Sequence, residues 1–66
     1  MAFPENVRHF RELRGFSQEK LAETLGVTQQ VISKYENGLS EPRLSEGGKL
    51  AEVLETTVEE LLKISE

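Results

Sequence analysis

Between Thr28 and Asn37 the chain sets Gln29, Ser33 and Asn37 at steps of four, and Gln30, Lys34 and Asn37 at steps of four and three. On an α-helix those positions share one face. The stripe consists of amides, a hydroxyl and one ammonium, with no carboxylate in it. Glutamine and asparagine carry a donor beside an acceptor and so match base edges, while lysine and serine match phosphate oxygens. The chemistry on offer is the reading of nucleic acid. On an arbitrary helix the same residues form a solvated surface, so the reading depends on the elements that hold the stripe.

Those elements can be read from caps and apolar spacing. Ser17 is an N-cap with Glu19 in the first turn, Leu21, Ala22 and Leu25 form an inner stripe, and Gly26 ends the helix. Thr28 caps the next helix, with Ile32 and Tyr35 inward, Val31 on the flank and Asn37-Gly38 at the close. Residues 17–38 thus make two short helices around a tight turn.

A helix from Pro4 to Arg14 precedes them, with Val7, Phe10 and Arg14 on one side and Gly15 as its stop. After the loop Leu39–Pro42, a fourth helix covers Leu44 to Leu54, with Leu44, Leu50, Ala51 and Leu54 inward. Thr57 and Glu60 make a capping box for a fifth helix through Val58, Leu61 and Leu62 to about Ser65. With no strand pattern and no repeat, the expectation is one all-α domain over 1–66, a five-helix orthogonal bundle.

Composition sets bounds on this. A chain of 66 residues buries only about 60% of its unfolded surface, and without cysteine it has no disulfide or thiolate zinc site to add support. No apolar run is long enough to span a membrane, and the first residues do not read as a secretory signal, so a cytoplasmic, nucleoid-associated protein is expected. The net charge of −4 opposes DNA binding at first sight. Yet residues 1–45 hold six basic and six acidic side chains, and the excess lies in 46–66, where Lys49 and Lys63 face six glutamates. One histidine, His9, and no nucleophile set beside a base argue against catalysis. No metal or cofactor is implied, and Gly47-Gly48 lacks the following lysine of a phosphate-cradling loop.

The run GFSQEKLA with Ser17, Gln18, Leu21 and Ala22, then LGVT at Leu25–Thr28, then Ile32, Glu36, Gly38 and Pro42, then KLAEVL from Lys49 and EELL near the end resembles the helix-turn-helix domain of the lambdoid phage repressor and Cro family. The resemblance runs from Val7 to Leu62 and marks 17–38 as the helix-turn-helix core. It implies sequence-specific binding of double-stranded DNA by a transcriptional repressor or regulator, with the third helix in the major groove. By resemblance, Gln29, Gln30, Ser33 and Lys34 face bases, while Gln18, Thr28, Asn37 and Arg43 hold the backbone, Arg43 near the minor groove. It also implies a partly buried Arg11–Glu36 ion pair and a weak homodimer, templated by DNA, on a palindromic operator.

Three departures stand out. Gly47 and Gly48 predict an irregular start to the fourth helix and a gap where larger residues usually pack. Glu41 in the loop opposes a phosphate, and the acidic last third opposes tight pairing. A second reading takes that acidic end as the docking site of a basic protein partner, with the fold serving as an antitoxin-like or coactivator-like interaction module.

Overall fold

The computed structural model describes residues 3–62. Five helices follow in order: α1 (Phe3–Leu13), α2 (Gln18–Leu25), α3 (Gln29–Glu36), α4 (Leu44–Val53) and α5 (Val58–Leu62). There is no strand among the described residues. The continuation of α5 toward Ser65 lies outside them.

Local chemistry sets the helix ends. Gly15, Gly26 and Gly38 take φ of 77°, 75° and 73°, the left-handed region in which a Cβ is strained. Each reverses the chain so that the following N–H reaches back to a helix carbonyl: Phe16 to Arg11 at 2.9 Å, Val27 to Ala22 at 2.9 Å and Leu39 to Lys34 at 2.9 Å. The end of α4 uses the same geometry without glycine: Glu55 sits at φ 57°, and the Thr56 N–H reaches Ala51 O at 2.9 Å. At the N-termini, Ser17 Oγ accepts from the Lys20 N–H at 3.0 Å, and Thr57 Oγ1 from that of Glu60 at 3.0 Å. Thr28 has the extended N-cap backbone, but its hydroxyl makes no capping bond, contrary to the expectation from sequence.

The core draws on every helix. Val7, Leu21, Ile32, Leu50, Leu54 and Leu61 are fully buried, and Phe3, Ala22, Tyr35 and Ala51 join them. α2 packs on α3 and α4, and α1 packs on α3 and α5. Phe3 meets Tyr35 edge-on, with ring centroids 6.1 Å apart. Phe10 and Phe16 pack against this cluster from its margin.

Two side chains of α1 close the bundle through backbone carbonyls. Arg14 donates from Nε to Leu54 O at 2.9 Å and from Nη2 to Glu55 O at 3.1 Å, placing a cation on the negative end of α4. Asn6 is buried and donates from Nδ2 to Leu61 O at 2.9 Å and to Glu60 O at 3.3 Å. A helix as short as α5 has little stability of its own, so this polar clasp and Leu61 hold it in place.

α4 corrects two sequence expectations. It runs without interruption through Gly47 and Gly48, because Arg43 and Glu46 close its first turn and Leu50, Ala51 and Leu54 anchor the rest. Leu44 does not point inward: it is 83% exposed. As the first residue of the helix it projects beyond the end of the core, since side chains lean toward the N-terminus. The expected gap is present. A cleft of about 210 Å³ lies beside the buried Gly47, walled by Phe3, Pro42, Leu44, Val58 and Leu61. A Cβ on Gly47 would stand 3.9 Å from Pro42 Cγ, in ordinary contact, whereas one on Gly48 would meet nothing within 4 Å.

Gly48→Ala is therefore expected to raise stability by about 1 kcal/mol, by removing backbone entropy from the unfolded chain without a clash. Glu55→Gly is expected to add roughly 1 kcal/mol by relieving left-handed strain. Urea denaturation monitored by helix signal checks both, and a lower midpoint for either contradicts this reading of α4.

Candidate nucleic-acid interface

The stripe on α3 is displayed as its spacing predicts. Gln29, Gln30, Lys34 and Asn37 are exposed, while Ile32 and Tyr35 on the opposite face are buried. Lys34 makes no ion pair among the described residues, and the Gln30 amide makes no hydrogen bond there. Ser33 is only half-buried at the edge of the stripe, and it is already engaged. Asn37 Nδ2 donates to Ser33 O at 2.8 Å and to Ser33 Oγ at 3.3 Å. Asn37 thereby fastens the last turn of α3.

Behind the stripe lies a buried ion pair. Arg11 Nε donates to Glu36 Oε2, and Nη2 donates to Glu36 Oε1 at 3.1 Å. The side chains are 12% and 5% exposed, so both charges have lost most of their water. Such a pair is tolerable only when its remaining hydrogen-bonding capacity is used. It is: Arg11 Nη1 donates to Phe16 O at 2.8 Å, and Gln18 Nε2 donates to Glu36 Oε1 at 3.1 Å. The hydrogen bonds that Arg11 donates to Glu36 raise its pKa above the usual value, against the opposing effect of burial. The pair ties α1 to the last turn of α3 and to the first residue of α2. By contrast Arg8–Glu12 and Lys20–Glu23 are exposed pairs that contribute little.

The network reaches the surface through Gln18. Its Oε1 accepts from Gln29 Nε2 at 3.4 Å, a long bond that biases the Gln29 amide without locking it. Sequence reasoning placed Gln18 and Gln29 separately against DNA and missed this contact. No spacing signal reveals a contact between residues 11 apart on two helices. The Gln18 side chain is thus largely spent within the protein. What the start of α2 offers an anion is its first backbone N–H groups.

The expected backbone-contacting residues flank the stripe. Thr28 is exposed at the start of α3 with its hydroxyl uncommitted to capping. Asn37 is exposed at the other end. Arg43 is exposed at the N-cap of α4, where its backbone N–H donates to Glu46 Oε1 at 3.4 Å. Glu41 is exposed two residues away. No group of histidine, cysteine or acidic side chains among the described residues has the arrangement of a metal site. No described helix is long and apolar enough to cross a membrane.

A small all-α module that braces one outward-facing polar helix against a second across a tight turn is the architecture of a helix-turn-helix unit. The chain belongs to the helix-turn-helix family, whose model matches residues 7–61. It is 39% identical over 61 residues to an SPbeta prophage-derived HTH-type transcriptional regulator, YonR, of Bacillus subtilis; the match covers 92% of this chain and 56% of YonR. A second Bacillus subtilis relative, the HTH-type transcriptional regulator YgzD, is 35% identical over 91% of this chain and 91% of its own length.

Among solved structures, the P22 c2 repressor in complex with a synthetic operator matches with a TM-score of 0.90 at 27% identity, covering 96% of both chains. Hydroxypropylphosphonic acid epoxidase from S. wedmorenis matches with a TM-score of 0.87 at 32% identity, covering 92% of this chain and 32% of the epoxidase. Two-thirds of that enzyme has no counterpart here, so the likeness concerns the fold alone.

Glu36→Ala strands the Arg11 charge and is expected to cost about 3–5 kcal/mol, enough to unfold most of a domain this small. The paired replacement Arg11→Met with Glu36→Leu is expected to recover most of that loss. Thermal and urea melts of the three proteins check this. A Glu36→Ala protein as stable as the parent would remove the pair as the brace of α3.

Proposed function

We propose that this chain is the sequence-specific, double-stranded DNA-binding domain of a transcriptional regulator. The observation that carries this reading is the exposed, acid-free stripe of α3, held on a rigid bundle by the buried Arg11–Glu36 pair. α3 enters the major groove, and α2 crosses above it against the backbone. Gln29 and Gln30 present donor and acceptor together, as an adenine edge at N6 and N7 requires. Lys34, one turn on, meets a base or a phosphate. Ser33, bonded to Asn37 at the stripe's edge, takes the lesser share of base contact. The first N–H groups of α2, beginning with that of Gln18, the Thr28 hydroxyl, Asn37 and Arg43 hold phosphates on either side. Such contacts set register, and the glutamines supply specificity.

The working form is a pair of copies on a palindromic site, with half-sites about 34 Å apart. An apolar edge supports weak self-association: Leu44 and Leu62 are 83% and 54% exposed beside the cleft at Gly47. Glu41 lines that cleft together with Arg43, whereas none of Glu52, Glu55, Glu59 or Glu60 does, so pairing there need not oppose the acidic charges of the last third directly. The chain spans 56% of the length of YonR, and what a longer regulator adds lies beyond this domain. A reader of chromosomal DNA works in the cytoplasm, on the nucleoid.

Gln29→Ala is expected to cost about 1–3 kcal/mol on the selected site and to blur one base position in each half-site. Selection from a random duplex library reads this directly, and an unchanged consensus would remove Gln29 from the base readers. Lys34→Ala and Arg43→Ala are each expected to reduce the slope of log affinity against log salt by about one if the residue neutralises a phosphate. A slope equal to the parent's removes that residue from the phosphate contacts.

A further inference from the structure

A second cleft, of about 230 Å³, opens on the side of α3 away from the polar stripe. Its walls are Leu25 and Val27, on either side of the turn glycine Gly26, and Leu50 of α4. Three polar side chains border it: Tyr35, Glu46 and Lys49. Tyr35 is only 6% exposed, its hydroxyl makes no hydrogen bond within the described chain, and, since no buried side-chain polar atom among the described residues lacks a partner, that hydroxyl is the part of the side chain that solvent reaches. The Lys49 ammonium forms no ion pair or hydrogen bond among the described residues, despite its acid-rich surroundings. Glu46 uses one oxygen, over 3.4 Å, for the Arg43 N–H and leaves the other uncommitted. Burial first, and the nearby Glu46 charge second, push the Tyr35 pKa up, which keeps the phenol protonated and a donor.

Two donors, one anion and an apolar floor specify the occupant. A simple carboxylate would satisfy Lys49 and Tyr35 but would be repelled by Glu46. A simple amine would satisfy Glu46 but meet Lys49. A zwitterion with an apolar side chain satisfies all three, its carboxylate toward Lys49 and Tyr35, its ammonium toward Glu46, its side chain among Leu25, Val27 and Leu50. The volume is below the roughly 300–1,000 Å³ of sites for drug-sized ligands, which suits a single amino acid better than a nucleotide. We infer that this cleft is a binding site for a free α-amino acid with an aliphatic side chain. Because it lies opposite Gln29, Gln30 and Lys34, it remains open when α3 faces DNA, and neither DNA contact nor pairing of copies is needed to fill it.

The test is an amide-resolved NMR titration of the chain with L-leucine, L-isoleucine, L-valine and L-methionine in turn, and with 4-methylpentanoate and 3-methylbutylamine, which each lack one charge of leucine. The expected result is saturable shifts at Leu25–Val27, Tyr35 and Leu50 with at least one amino acid, and binding about tenfold weaker or worse for both single-charge analogues. Lys49→Gln and Tyr35→Phe are expected to weaken binding about tenfold each. Neither loses a hydrogen bond or ion pair within the described chain, and an unchanged parent spectrum away from the cleft shows that the fold is kept. No saturable shift at these amides with any of the four amino acids overturns the inference. So do analogues that bind as well as leucine, or variants that bind as well as the parent.

Discussion

Arg11 and Glu36 bring one cation and one anion into a place with little water, and the surrounding geometry follows from what those charges require. A buried carboxylate needs its lone pairs filled, and a buried guanidinium needs its donors used. Glu36 accepts twice from Arg11 and once from Gln18, while Arg11 also donates to the Phe16 carbonyl. Those partners come from α1, from the α1–α2 link and from the first residue of α2. These bonds to Arg11 and Glu36 can form together only if the end of α3 lies at one angle to the other two helices. The attraction itself adds little net stability, because desolvation offsets it. Its effect is positional: it makes other placements of α3 expensive, and so aims the polar stripe.

The remainder of the bundle serves the same end with modest means. A chain this short has a small apolar core, and its outer helices are attached by polar clasps as much as by burial. Arg14 grips the carbonyls at the end of α4, and Asn6 those of α5. Gly48 within α4 and Glu55 in the left-handed region both draw on that limited stability. The bundle is therefore firm around α2 and α3, where the ion pair and Leu21, Ala22 and Ile32 sit, and lightly held at its far edge.

The charge pattern fits this division. The net charge is −4, but charges across the protein from a DNA-facing helix act through more than a Debye length, about 8 Å at physiological salt, and are largely screened. The local balance at the stripe matters more. There Lys34 is exposed and makes no ion pair among the described residues, while the one acid of α3, Glu36, has a buried side chain paired with Arg11. Glu41 is the one acid of the α3–α4 loop, and it lowers the local positive potential beside Arg43.

The sequence by itself determined the helices and their ends. An N-cap serine, a left-handed glycine and a polar stripe repeating every three to four residues act within one turn of backbone, so their meaning does not depend on distant residues. The positions of Ser17, Gly15, Gly26 and Gly38, and the outward face with Gln29, Gln30 and Lys34, were legible for that reason. Tertiary structure alone decided the exposure of Leu44, the contact of Gln18 with Gln29, the clasps made by Asn6 and Arg14, and the two clefts. Asn6 meets Leu61 across 55 residues of chain. Whether a side chain faces the core, a neighbour or water is set by where helices cross, and that crossing is fixed by the whole core and the buried ion pair together, not by any local pattern.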